Sequence, residues 1–117
     1  MSFKIAVLSG DGIGPEVVKE STELLSQVAS LYGFDVEFEQ GLVGGVSIDA
    51  SGKPLTDPVL ELAKQSDAVL LGAMGDPKWD GLDYSIRPER ALLTLRQELG
   101  LFANLRPVKL FSALASA

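Results

Sequence analysis

Two hydrophobic patterns alternate along the first third of the chain. The short run at residues 4–8, apolar from Ile5 onward, predicts a buried strand. Apolar side chains then recur at helical spacing over residues 15–32, with Pro15 suited to the first turn and Gly33 placed to end the helix. Residues 34–39 alternate apolar and acidic side chains, which predicts a strand with one wet face. Strand, helix and strand in this order predict a parallel βαβ unit.

The same patterns continue along the rest of the chain. A glycine-rich loop follows the second strand, a helix is predicted to begin at Asp57, and residues 68–71 predict a third apolar strand. A further helix is predicted over residues 88–99 and a further strand over residues 101–108. The sequence therefore predicts an α/β fold with a parallel βαβ-type sheet flanked by helices. Because the last residues offer no closing element, we expect residues 1–117 to form a single incomplete domain.

The last predicted helix has two faces of different chemistry. Helical spacing predicts a core stripe of Leu92, Leu95 and Leu99 and an adjoining face of Glu89, Leu93 and Arg96. The four arginines all lie between Arg87 and Arg106, and guanidinium groups match carboxylates and phosphates with a rigid fork of donors. This helix and the following strand could bring two arginines, a carboxylate and an apolar surface together. A solvated amphipathic helix with surface arginines explains the pattern equally well.

Charge is distributed unevenly along the chain. The net charge is −6, but residues 1–86 carry 5 lysines and 14 acidic residues, whereas residues 87–117 carry 5 basic and 2 acidic residues. The overall acidity argues against a nucleic-acid surface, and the local basic excess suits a small anionic ligand. With no cysteine and no histidine in the sequence, disulfides and Ser–His or Cys–His catalysis are excluded within this chain. Any metal would need oxygen ligands, which favours Mg²⁺ or Mn²⁺.

No apolar run reaches the length of a membrane span, and the first residues lack the features of a secretion signal. We therefore expect a cytoplasmic protein without a membrane partner.

Two loops are candidates for binding chemistry. Residues 10–14 lie between a strand and a helix, but Pro15 breaks the Rossmann glycine pattern and no Walker motif is present. The turn is either structural or packs against the adenosine end of a nucleotide. Residues 75–88 follow the third strand, and the carboxyl ends of parallel strands are where open α/β sheets bind ligands. Trp79 in this loop suits a ligand contact or an apolar anchor for the loop equally well.

Four motifs together resemble those of the 3-isopropylmalate dehydrogenases. They are residues 10–17 (GDGIGPEV), 72–80 (GAMGDPKWD), 87–89 (RPE) and 101–107 (LFANLRP). The similarity extends over essentially the whole chain and corresponds to the first third of such an enzyme. It implies the N-terminal part of the isopropylmalate/isocitrate dehydrogenase fold, which differs from the standard Rossmann fold.

The resemblance also implies roles for individual residues. Arg96 and Arg106 match arginines that bind the malate carboxylates, Glu89 matches a residue near the nicotinamide, and Leu92 and Leu93 match the surface that accepts the isopropyl group. Apolar residues there favour isopropylmalate over isocitrate, because a third carboxylate would be stranded. Ile13 matches a contact near the adenosine. The implied cofactor loop comprises Gly75, Asp76, Pro77, Lys78, Trp79, Asp80, Gly81, Leu82, Asp83, Tyr84, Ser85, Ile86, Arg87, Pro88 and Glu89.

The implied chemistry is an NAD-dependent oxidation followed by decarboxylation, a step of leucine biosynthesis that uses Mg²⁺ or Mn²⁺. The family's acid–base residues and metal ligands match positions beyond residue 117, so we expect no catalytic residue and no metal ligand within this chain, and no activity from it alone. The whole enzyme is expected to be a homodimer acting on a small dicarboxylate. A dehydrogenase for tartrate or another substituted malate, or a non-catalytic anion-binding α/β module, remains an alternative.

Overall fold

A parallel sheet with helices on both faces forms the centre of the computed structural model, which describes residues 1–115. The strands and α-helices are β1 (Ser2–Gly10), α1 (Gly14–Tyr32), β2 (Asp35–Gln40), α2 (Gly45–Ser51), α3 (Asp57–Gln65), β3 (Ala68–Ala73) and α4 (Glu89–Glu98). Within the described residues the strand order is β2-β1-β3, and β1 pairs in parallel with both neighbours. The prediction of a parallel α/β fold is confirmed.

The central strand β1 contributes to the core on both faces of the sheet. Ile5 and Val7 pack with Val18 of α1 on one face, and Leu8 packs with Leu95 of α4 on the other. Burial on both sides explains why residues 5–8 of β1 are apolar without alternation. Each fully buried side chain of this size contributes about 2 kcal/mol of hydrophobic stabilisation. The two cores hold α1 and α4 on opposite faces of the sheet.

The prediction of an irregular loop after β2 is wrong over residues 45–51, which form α2. Glycines bound this short helix at both ends: Gly44 has φ 80° and Gly52 has φ 76°, in conformations that other residues rarely adopt. The glycines that suggested a loop are therefore the boundaries of a helix, which is too short to show helical periodicity in the sequence.

The prediction of a strand over residues 101–108 is also wrong. This segment follows α4 without regular secondary structure and pairs with no strand among residues 1–115. Its side chains are exposed, and Phe102 is 100% accessible. A strand is stabilised by its hydrogen-bonded neighbour, so apolar composition alone does not form one.

The core stripe predicted on α4 is confirmed in its main features. Leu95 is buried, and Leu99 packs against the same core from a partly buried position. Leu92 is half-buried at the border of the stripe. The fully buried Ala91 also belongs to this core and was missing from the predicted stripe.

Candidate functional site

The carboxyl ends of β1 and β3 form the candidate site. These strands are neighbours in the sheet, yet the chain after β1 enters α1 on one face and the chain after β3 leads to α4 on the other. In open α/β sheets, ligands usually bind outside the carboxyl ends of the strands at the point where the connections diverge in this way. At this edge a Cβ on Gly10 would lie 1.9 Å from the carbonyl oxygen of Ala73, so the two strand ends approach closely only because residue 10 is glycine.

A buried carboxylate joins three segments at this edge. Asp11 Oδ2 accepts hydrogen bonds from the backbone N–H of Gly45 at 2.8 Å and of Gly75 at 2.9 Å, and Oδ1 accepts one from Val46 at 2.9 Å. Asp11 is only 1% exposed, so its charge is matched by these N–H groups instead of water. The turn after β1, the start of α2 and the loop after β3 therefore share one anchor. These bonds support the structural interpretation of the turn at residues 10–14.

Sequence reasoning missed the role of Asp11. The signal was a single acidic side chain between two glycines, directly after a buried strand. The donors it binds lie 34, 35 and 64 residues away, which no local pattern reveals.

The turn that carries Ile13 lies beside the start of the predicted cofactor loop. A Cβ on Gly12 would be 3.8 Å from the carbonyl oxygen of Gly75 and 3.9 Å from a carboxylate oxygen of Asp76. Ile13 itself is exposed and borders a shallow groove of about 360 Å³ along α1. The structure thus brings the two candidate cofactor segments to the same edge of the sheet.

The cofactor loop spans residues 75–89, and its first half is fastened to α2. Trp79 is buried, with its ring over Gly45, where a Cβ would lie 2.3 Å from ring atoms. Its Nε1–H donates to Asp49 Oδ1 at 3.2 Å, and the Lys78 ammonium forms a salt bridge with Asp49 Oδ2. Of the two interpretations of Trp79, the structure supports the anchor: the side chain pins the loop and is not free at the surface.

The second half of the loop is held by its own arginine. Arg87 donates from Nε to the carbonyl oxygen of Leu82 and from Nη2 to that of Asp80, both at 3.0 Å. Asp83 caps a short 3₁₀ turn by accepting from the backbone N–H and the hydroxyl of Ser85. These contacts fix the loop from within and leave a row of exposed side chains, those of Asp76, Pro77, Lys78, Asp80, Asp83, Tyr84, Ser85 and Ile86.

The side chains of α4 continue the site from the loop. A carboxylate oxygen of Glu89 lies 2.9 Å from the position that a Cβ on Gly75 would occupy, so Glu89 reaches the beginning of the cofactor loop. Arg96, two turns further on, lines an apolar pocket of about 120 Å³ together with Leu92, Leu95 and Leu99. Leu93 is 44% exposed on the outer side of the helix. The structure thus joins Arg96 to the leucines of the core stripe in one pocket, whereas Glu89 and Leu93 of the predicted face do not line it.

Arg96 also borders the segment that carries Arg106. Residues 101–105 and Arg96 together line a second cavity of about 400 Å³, and the backbone N–H of Leu101 donates to the carbonyl oxygen of Arg96. Arg106 follows directly in exposed chain. All salt bridges among residues 1–115 are formed by lysines, so neither guanidinium is engaged by a carboxylate in the part of the chain that the structure describes.

The contacts of Asp49 with Lys78 and Trp79, which anchor the loop to α2, are expected to depend on pH. Hydrogen bonds from Lys78 and then Trp79 hold the pKa of the Asp49 carboxyl below its ordinary value of 3.8. The anchor is therefore intact above that value and is lost as the pH falls through the lowered pKa. Trp79 is the only tryptophan in the sequence, and we expect its fluorescence to stay constant from pH 7 to about pH 4 and to change below that range. A transition centred above pH 4, or one that persists in Asp49→Ala, would contradict the assignment.

Comparison with known proteins identifies the family. The model of the isocitrate/isopropylmalate dehydrogenase family matches residues 4–117, and the chain belongs to this family. Curated relatives include the 3-isopropylmalate dehydrogenases of Methylococcus capsulatus, 55% identical over 117 residues, and Aquifex aeolicus, 51% identical over 115 residues. These alignments cover 100% and 98% of this chain but 32% of each relative, so the chain spans about a third of their length.

Solved structures support the same assignment. The apo form of a β-decarboxylating dehydrogenase from Thermococcus kodakarensis superimposes with a TM-score of 0.68 at 37% identity, over 85% of this chain and 27% of that chain. Isocitrate dehydrogenase from M. capsulatus gives a TM-score of 0.70 at 27% identity, over 86% of this chain and 26% of that chain. The fold predicted from the sequence is thus that of the N-terminal part of these dehydrogenases.

Proposed function

We propose that this chain forms the N-terminal third of an NAD-dependent 3-isopropylmalate dehydrogenase. The enzyme would oxidise (2R,3S)-3-isopropylmalate and decarboxylate it to 4-methyl-2-oxopentanoate in leucine biosynthesis. The names of the curated relatives support this assignment. One observation in the structure carries it: Arg96, whose guanidinium has no carboxylate partner among residues 1–115, lines an apolar pocket together with Leu92.

The chemistry of that pocket matches a branched dicarboxylate. Arg96 offers a charge-assisted fork of donors to one carboxylate, and Arg106, on the segment beside it, would take the other. Leu92, which lines the pocket, would cover the isopropyl group, which gains from apolar burial, and the exposed Leu93 would extend that apolar surface outside the pocket. An additional carboxylate at the same place would lose its hydration without gaining a donor, which disfavours isocitrate.

The cofactor would bind along the edge where the turn after β1 meets the loop at residues 75–88. Ile13 is exposed at that edge and would pack against the adenosine, while the exposed loop side chains and Glu89 would border the nicotinamide end. When bound, NAD⁺ supplies the hydride acceptor. The residues of this chain would act by orienting the two reactants, since Asp11, Asp49 and Arg87 fix the loop before any ligand binds.

The described residues do not fit a metal ion. In residues 1–115, no group of three or more acidic, histidine or cysteine side chains is placed to hold one. From the resemblance to the family, we propose that the ligands for Mg²⁺ or Mn²⁺ and the acid–base residues lie beyond residue 117, and we assign no catalytic step to this chain.

We propose that the whole enzyme is a cytoplasmic homodimer and that the small molecule it binds is the dicarboxylate substrate. The net charge of −6 gives no support to nucleic-acid binding. No helix within residues 1–115 is long and apolar enough to cross a membrane.

Assays of two polypeptides test the proposal. The 117-residue chain and the complete reading frame that contains it would each be incubated with NAD⁺, Mg²⁺ and isopropylmalate, malate, tartrate or isocitrate, and NADH would be followed by absorbance. We expect turnover from the complete protein, fastest with isopropylmalate, and none from the 117-residue chain. Steady NADH production by the 117-residue chain would contradict the proposal that the catalytic residues lie outside it. A preference of the complete protein for tartrate would make the enzyme a different malate-type dehydrogenase. Failure of the complete protein with every substrate would favour a non-catalytic anion-binding module.

A further inference from the structure

We propose that Asp49 is a positioning residue for the cofactor loop: it stands outside the loop, on α2, and sets the affinity for NAD⁺ by holding Lys78 and Trp79 in place. This inference rests on the proposed function for the identity of the ligand. The contacts of Asp49 with Lys78 and Trp79 are observed among the described side chains and do not depend on it.

Asp49 holds two consecutive loop residues with two different oxygens. Oδ1 accepts from the indole Nε1–H of Trp79 at 3.2 Å, and Oδ2 accepts from the Lys78 ammonium. The same ammonium lies 4.9 Å from the centre of the Trp79 ring. Loss of Asp49 would therefore free both side chains together.

The helix that carries Asp49 is itself held at its start. Two of the three hydrogen bonds of Asp11 go to the backbone of Gly45 and Val46, in the first turn of α2. The preceding Gly44 donates its backbone N–H to the carbonyl oxygen of Pro54 at 2.8 Å. Because α2 is fixed in this way, it provides a platform on which Asp49 can define the position of the loop.

The loop has few other attachments near Trp79. Asp11 binds the first residue of the loop, Gly75, and Arg87 holds its second half, from Asp80 onward. Between these points, the side-chain attachments to the rest of the molecule among residues 1–115 are Trp79, packed over Gly45 and bonded to Asp49, and the salt bridge of Lys78 with Asp49. An exposed ion pair alone contributes little, so we expect the bond to the buried indole to matter more than the salt bridge with Lys78.

The test uses the complete enzyme with three substitutions. Asp49→Ala removes both bonds, whereas Asp49→Asn retains an acceptor for Trp79 and loses the charge that attracts Lys78. Asp35→Asn is the matched control, because Asp35 is an exposed residue at the amino end of β2, at the opposite edge of the sheet. Steady-state kinetics would give kcat and separate KM values for NAD⁺ and the dicarboxylate.

We expect Asp49→Ala to raise KM for NAD⁺ about tenfold, with kcat and KM for the dicarboxylate within about twofold of the parent. Asp49→Asn should show a smaller rise and Asp35→Asn none. An unchanged KM for NAD⁺ in Asp49→Ala would overturn the proposal. So would an equal loss in all three constants, because that is the result of general destabilisation.

Trypsin provides a second readout that does not depend on activity. Cleavage after Lys78 requires the Lys78–Trp79 segment to leave α2, and mass spectrometry identifies the resulting fragment. Asp49→Ala should be cut there about tenfold faster than the parent and the Asp35→Asn control. If the parent enzyme does not use NAD⁺, the proposed function is wrong, but the cleavage rates still test whether Asp49 holds the loop on α2. Equal rates in the parent and Asp49→Ala would show that it does not.

Discussion

Replacing Asp11 by alanine is expected to lower the free energy of unfolding of the 117-residue chain by about 3 kcal/mol or more. The substitution leaves three backbone N–H groups, those of Gly45, Val46 and Gly75, without their acceptor at a buried edge of the sheet. Each buried donor without a partner costs about 1–3 kcal/mol. Urea denaturation followed by far-UV circular dichroism measures the change.

Asp67→Ala is the control for this experiment. Asp67 also accepts a backbone hydrogen bond, from Lys4 at 2.8 Å, but the bond is single and exposed at the opposite edge of β1. We expect a loss of about 1 kcal/mol or less. Equal unfolding midpoints for the two variants would contradict the role assigned to Asp11.

Replacing Arg96 by alanine is expected to raise KM for the dicarboxylate about 100-fold in the complete enzyme. A charge-assisted hydrogen-bond pair contributes about 1.5–3 kcal/mol, which corresponds to roughly 10- to 150-fold in affinity. Arg96→Lys should recover only part of the loss, because a single ammonium does not reproduce the planar fork. Initial-rate measurements at saturating NAD⁺ give KM and kcat for both variants.

The control for Arg96 is Lys64→Ala. Lys64 also carries a positive charge next to α4, where it forms an exposed salt bridge with Glu98 at 3.0 Å. Its removal changes the net charge equally and should leave KM for the dicarboxylate within about twofold. A similar rise in both variants would indicate a general electrostatic effect instead of a specific contact by Arg96.

Local patterns were sufficient to predict most of the fold. The apolar run of β1 and the helical repeat of α1 give the correct elements, because both depend on periodicity within a short window. The helix α2, which was missed, and the strand that was wrongly predicted at residues 101–108 depend on features other than periodicity within a short window. The first is defined by its glycine boundaries, and the second has no hydrogen-bonded neighbour among residues 1–115.

The candidate site was predictable in part for the same reason. Helical spacing places Glu89, Leu93 and Arg96 on α4 as predicted, but the pocket beside Arg96 is lined by Leu92 and its core stripe, without Glu89 or Leu93. The contacts of Asp11 and Asp49 join residues 29 to 64 positions apart, so they depend on the assembled sheet. Arg87 shows that residue type alone is not sufficient. An arginine in this loop suggests an anion-binding role, yet its guanidinium donates to two carbonyl oxygens of its own loop.

The position of β1 at the centre of the sheet has a consequence for synthesis on the ribosome. β1 emerges first, but its two partners are made only by residues 35–40 and 68–73. β1 therefore has no partner until residues 35–40 have been translated, and it lacks its second partner until residues 68–73 follow. A nascent chain that pauses before then exposes an unpaired, aggregation-prone side of this central strand to chaperones.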